Sequence, residues 1–116
     1  MEDKRLAEIA GISWHGLMRL ADELLGPDEE RIESGVIAVR EYSPEEAWKM
    51  YVAVRLTKGG VVSRTEAADL FETIPGINEQ KQWQVRKTDI VTVTADMEKL
   101  KKHYRKGLSR AKRNGG

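Results

Sequence analysis

Apolar residues recur along this chain at helical spacing, with one stretch at strand spacing, and serine, glycine and proline divide them into segments. Leu6, Ile9 and Ala10 share one face of a short helix. Gly11 closes it, glycine being the residue that best accepts the backbone of a sharp helix end. Ser13 stands where a second helix needs its cap. Leu17, Leu20, Ala21, Leu24 and Leu25 then form one apolar face, and Gly26-Pro27 ends the run. Between Asp28 and Tyr42, a turn signal at Ser34-Gly35 separates Arg31-Ile32 from the β-branched run Val36-Ile37-Ala38-Val39, which predicts a small hairpin.

Ser43-Pro44-Glu45-Glu46 is a capping box with proline at the first helical position, so a third helix is predicted from there to Lys58. Its Ala47, Trp48, Met50, Tyr51, Val52, Val54 and Leu56 spread over more than one stripe, the mark of a central helix. Gly59-Gly60 terminates it. Ser63-Arg64-Thr65-Glu66 opens a fourth helix, whose Ala67, Leu70, Phe71 and Ile74 share a face up to the stop at Pro75-Gly76. Trp83 and Val85 alternate with polar residues and Ile90 to Thr94 is β-branched, which predicts a second hairpin turning near Lys87-Thr88. From about Ala95 the pattern is helical again, with Met97, Leu100, Tyr104, Leu108 and Ala111 on one side. The expected fold is mainly α with small β hairpins, divided into residues 1–60 and a helical, partly β extension over 61–116 that ends in a basic helix.

Length and composition narrow the class. A chain of 116 residues suits one domain with room for an appendage, and 34% charged with 40% hydrophobic residues describes a folded chain. Without cysteine there are neither disulfides nor thiolate metal sites. The charged start, Met1-Glu2-Asp3-Lys4-Arg5, runs into no apolar stretch, so neither a signal peptide nor a membrane span is expected, and the cytoplasm is the expected compartment.

A net charge of +1 conceals a division. Through Glu98 there are 12 Lys and Arg against 19 Asp and Glu, whereas from Lys99 onward there are 8 basic residues and no acid. A basic tail on an acidic body points to a polyanionic or acidic partner, although a solvated helix end accounts for it equally.

Candidate chemistry is sparse. His15 and His103 each lack the i, i+4 partner that would place two ligands or an acid and a base on one helix face. Glu29-Glu30 and Glu45-Glu46 are sequence neighbours, whose side chains diverge by about 100° on a helix. Gly59-Gly60 lacks the spacing and the Lys-Ser or Lys-Thr of a phosphate loop. Trp14, Trp48 and Trp83 read first as core or interface anchors. Trp14 also opens the second helix, where its ring either packs beneath the hairpin or approaches a groove. No catalytic residue, metal ligand or small-molecule cofactor emerges, and the chain is not expected to be an enzyme.

The order Leu6-Ala7-Glu8-Ile9-Ala10-Gly11-Ile12-Ser13, continued by Leu17 and Leu20, matches a helix-turn-helix: Ala7 is small where a second helix crosses it, and Gly11 permits the turn four residues later. With the hairpin after it and Tyr42-Ser43 opening the next helix, the chain resembles the MerR-like winged helix-turn-helix family over about residues 4–74. Excisionase-like DNA-binding domains share that small architecture. The resemblance implies a second helix in the major groove of duplex DNA, a wing on the backbone and a dimer. It implies that Trp14, His15 and Arg19, with Gly16 and Asp22 beside them, face DNA, with Arg31 and Arg40 near phosphates, in a transcriptional or mobile-element regulator.

Lys101, Lys102, Arg105, Lys106 and Arg110, among the tail's cations, would add phosphate contacts on a neighbouring groove. The apolar stripe beneath them either packs on the body or pairs two protomers into a homodimer. A rival expectation comes from the acidic residues: a protein-interaction or assembly module, such as a phage packaging or adaptor component, that reuses the helix-turn-helix shape.

Overall fold

The computed structural model describes residues 1–27, 40–79 and 82–114, with side chains through Arg110. The fold is mainly helical with one small antiparallel hairpin. Helix α1 (Asp3–Ala10) ends at Gly11, whose φ of 75° lies in the left-handed region and lets the amides of Gly11 and Ile12 turn back onto the Ala7 carbonyl. Helix α2 (Trp14–Leu25) is capped by Ser13, whose hydroxyl accepts from the Gly16 amide at 3.1 Å, and it buries Leu17, Leu20 and Ala21. The hairpin expected between Asp28 and Tyr42 lies mostly outside the described residues. Where the chain returns, the carbonyl of Arg40 accepts from the Asp3 amide and the amide of Tyr42 donates to the Met1 carbonyl.

Helix α3 (Pro44–Lys58) carries the reciprocal Ser43–Glu46 capping box and is buried around most of its circumference, as an all-round apolar pattern requires. It touches α1, α2, the short helix α4 (Arg64–Leu70) and the final helix α5 (Met97–Asn114). Its Trp48 and Tyr51 rings stack at 6.1 Å, and Tyr104 of α5 closes on both at 5.3 and 4.9 Å. A second capping box, Ser63–Glu66, opens α4, which runs into a 3-10 turn at Phe71–Thr73. The Ser63 amide and then Arg86 hold the Glu66 carboxyl below its usual range.

Strands β1 (Gln82–Lys87) and β2 (Thr92–Asp96) pair antiparallel, with a register shift at Val85 that aims this residue into the core. Three boundaries differ from those the sequence predicts, the first being that α4 ends at Leu70, with Phe71–Thr73 in the 3-10 turn and Ile74 extended. Ile90 and Val91 belong to the turn and not to a strand, because the Thr88 hydroxyl gathers their amides at 3.3 and 3.0 Å. The last helix begins at Met97 and not at Ala95: Ala95 and Asp96 finish β2, and the Asp96 carboxylate caps α5 by accepting from the Lys99 amide at 3.1 Å. One core joins residues on both sides of residue 60, from Leu6 and Leu17 through Trp48 to Val85, Met97 and Tyr104. No helix among the described residues is long and apolar enough to cross a membrane.

Tyr42, Tyr51 and Tyr104 are all buried, and burial raises the pKa of each phenol above its usual value near 10, assisted at Tyr42 by the Asp3 carboxylate. Below that value both folded and unfolded chains keep these protons and stability is intact. As pH rises past it, the unfolded chain releases them first and stability falls, by up to about 1.4 kcal/mol per pH unit for each phenol still protonated in the fold. The expected result is a urea midpoint clearly lower at about pH 11 than at about pH 9, with phenolate absorbance rising only as the chain unfolds. Equal midpoints at the two pH values would contradict it.

Candidate nucleic-acid interface

Helix α5 builds the most cationic surface. Its inward face is fixed by Met97 and Tyr104, buried against the body, so the stripe expected to pack on the body or pair protomers is turned onto its own chain. The helical period then forces Lys99, Lys102, Arg105, Lys106 and Arg110 outward, all exposed along one shallow groove that Ser109 also lines. Asp96 and Glu98 sit at the start of this groove and no acid follows them. None of the five cations is ion-paired among the described residues. Lys101 is the exception among the tail residues named from the sequence. It lies on the inner side, only 7% exposed, with its ammonium 3.3 Å from Glu98.

Helix α2 presents a smaller surface. His15 and Arg19, one turn apart, are both exposed, and Arg19 makes no ion pair among the described residues. Arg19 shares an open cleft with Lys58 of α3 and Arg64 of α4, together with Ile12, Ser13, Gly16 and Leu20. Lys58 donates to the Gly11 carbonyl at 2.6 Å, tying the end of α3 to the turn before α2, and Arg64 pairs with Glu23 of α2 at 3.0 Å. The cleft thus gathers three cations near the capped start of α2, against Glu23 and Asp22 farther along the helix.

Trp14 lies half-buried against α1. Its indole Nε1 donates to the buried Asp3 carboxylate at 3.3 Å, and the Lys4 ammonium stands 4.7 Å from the ring centroid. Arg40 is mostly buried and engaged within the chain: its guanidinium donates to the Gly26 carbonyl at 2.7 Å and to Asp22 at 3.3 Å, clasping the end of α2 to the segment that enters α3. Arg31 lies outside the described residues. Of the sequence-derived site residues, the fold therefore collects Lys102, Arg105, Lys106 and Arg110 on one face and His15 with Arg19 on another, while Lys101, Arg40 and Trp14 turn toward their own chain.

Helix α1 packs against both α2 and α5. At about 8–10 Å per helix packing, the axes of α2 and α5 stand at most about 16–20 Å apart. Lys58 and Arg64 were not anticipated from sequence, because each reaches the α2 cleft from another helix and no local pattern marks it. Among the described residues no group of three or more His, Cys, Asp or Glu comes together as a metal site. Comparison with family models, curated proteins and solved structures finds no match to this chain.

Proposed function

We propose that this chain binds duplex DNA, with the basic face of α5 on the phosphates and the exposed face of α2, His15 and Arg19, directed to an adjacent groove. The observation that carries the reading is the row of five exposed cations on α5, none of them ion-paired among the described residues, on a surface with little acid to oppose it. The cations around the start of α2 support it from a second side. The separation of α2 from α5 suits contacts on neighbouring stretches of one duplex turn, about 34 Å long. In this reading α1 and α2 form the helix-turn-helix of a MerR-like or excisionase-like regulator, the purpose is transcriptional or mobile-element control, and the protein works in the cytoplasm.

Salt dependence provides the test. Five phosphate contacts give a slope of about −4.5 in log K against log salt, so affinity for a labelled duplex should drop by about 500-fold between roughly 50 and 200 mM salt. Replacing Lys99, Lys102, Arg105, Lys106 and Arg110 by Gln should abolish most of that slope, whereas Lys101→Gln should leave it unchanged. Duplex affinity that ignores salt, or a five-Gln variant that binds like the parent, would overturn the assignment.

The excess of acid over base through Glu98 favours a second reading, in which the chain is a protein-interaction or assembly module. It differs in expected outcome: a protein partner co-purifies, and duplex affinity is negligible for the parent and for the five-Gln variant alike.

A further inference from the structure

Two large apolar side chains stand exposed among the described residues, and they are neighbours on one turn: Ile90, 92% exposed, and Val91, 49% exposed. A single surface isoleucine calls for no explanation. This one is presented by a built support. The Thr88 hydroxyl accepts from the amides of Ile90 and Val91 at 3.3 and 3.0 Å and lies 3.3 Å from the Val91 carbonyl, which also accepts from the Thr88 amide at 2.8 Å. The amides of Thr88, Ile90 and Val91 are thereby satisfied from within, so carrying Ile90 into an apolar environment strands neither its own amide nor that of Val91. Hairpin turns ordinarily use Gly, Asn or Asp, and here Asp89 is followed by two β-branched apolar residues in their place.

The hairpin's base is anchored and its end is free. Val85 and Ala95 are buried in the core and Arg86 pairs with Glu66, whereas Lys87 through Thr92 are all exposed. β2 passes without a break into α5 through the Asp96 cap. At about 3.3 Å per residue, Ile90 stands no more than about 20 Å from the Asp96 cap of that helix, within one turn of a duplex lying along it. Lys87 flanks the tip as a cation and offsets Asp89.

From this placement we infer that the hairpin is a wedge, which drives Ile90, backed by Val91, between two base steps in the minor groove of the duplex that α5 holds. The inference rests on the DNA-binding reading above. Its occupant follows from charge and continuity: the hairpin is covalently continuous with a helix whose exposed face attracts phosphate, and an apolar residue at such a tip is what unstacks a base step. Insertion kinks the duplex by about 20–90° and gives A·T-rich or flexible pyrimidine–purine steps an advantage, because these are the cheapest to open.

The test uses the full chain and a duplex of about two helical turns labelled at both ends for energy transfer, with 2-aminopurine at a central TA step. Binding of the parent should raise transfer and raise 2-aminopurine fluorescence. Ile90→Ser should still bind, with affinity within about tenfold of the parent because lost burial and avoided unstacking offset each other, and with the same salt slope, but it should leave the duplex straight and stacked. Ile90 is outside the core, so an unchanged circular dichroism spectrum and melting temperature accompany the variant. A parent that binds with a steep salt slope but leaves both signals flat overturns the wedge and leaves the DNA reading standing. A parent that binds no duplex overturns both. Self-association of the parent that disappears in Ile90→Ser assigns the tip to a protein interface and overturns the wedge.

Discussion

Trp48→Ala is expected to lower folding stability by about 3–5 kcal/mol, more than most single substitutions can. Trp48 is 2% exposed at the crossing of α3 and α5, where its ring stacks on Tyr51 and meets the edge of Tyr104. Its indole Nε1 donates to the Pro75 carbonyl at 2.8 Å. Truncation therefore removes apolar packing from two helices, leaves a cavity that their backbones cannot fully close, and leaves a buried carbonyl unpartnered. Since a domain of this size holds about 5–15 kcal/mol in all, the variant should melt about 12–20 °C lower and approach half-unfolding at modest urea. Trp48→Phe separates the parts: it keeps a ring in the stack and loses the N–H, and should cost clearly less than the alanine. A melting temperature within a few degrees of the parent for Trp48→Ala would show that the ring cluster is not the keystone of the core.

Gly107→Val should separate α1 from α5. A Cβ at residue 107 would stand 2.7 Å from Ile9 Cγ2, 3.4 Å from Ile9 Cβ and 3.6 Å from its Cα. Ile9 is β-branched and has little rotameric freedom on a helix, so the helices themselves must move. The overlap is expected to cost about 2–3 kcal/mol net, even though valine is a better helix former than glycine by a few tenths of a kcal/mol. The decisive measurement is a double-mutant cycle. With Ile9→Ala in place, room is available at residue 107, and Gly107→Val should become nearly neutral, giving a coupling of about 1–3 kcal/mol. Additive costs would mean that the two helices do not meet there.

The helices were largely legible because their signals are local. Ser13, Ser43 and Ser63 announce three starts with the side chain that satisfies the first amides, and all three caps form. Gly11 and Gly26 announce two ends, and both take positive φ. The lack of a single stripe in α3 correctly marked it as central. What failed to show depended on competition between equally local signals or on contacts distant in sequence. Ile90 and Val91 have the composition of a strand, yet the Thr88 hydroxyl captures their amides. The cations of the tail look alike in sequence, but the period of α5 sends Lys101 inward and its neighbours outward. Gly107 reads as a weak point in a helix until the partner, nearly a hundred residues earlier, is known. The candidate interface shared this pattern. Its α5 face is named from sequence with Lys101 wrongly among its members, whereas Lys58 and Arg64 reach the α2 cleft only through the fold. Arg40, a candidate for phosphate by its neighbourhood in sequence, is committed to Gly26 and Asp22.

That commitment has an architectural consequence. Because one guanidinium fastens Gly26 and Asp22, at the end of α2, to Arg40, just before α3, those two helix ends are tied together by a side chain of the frame itself. The angle at which α2 hands over to α3 is thereby held by a polar clasp as well as by apolar packing, so the two helices move as one piece.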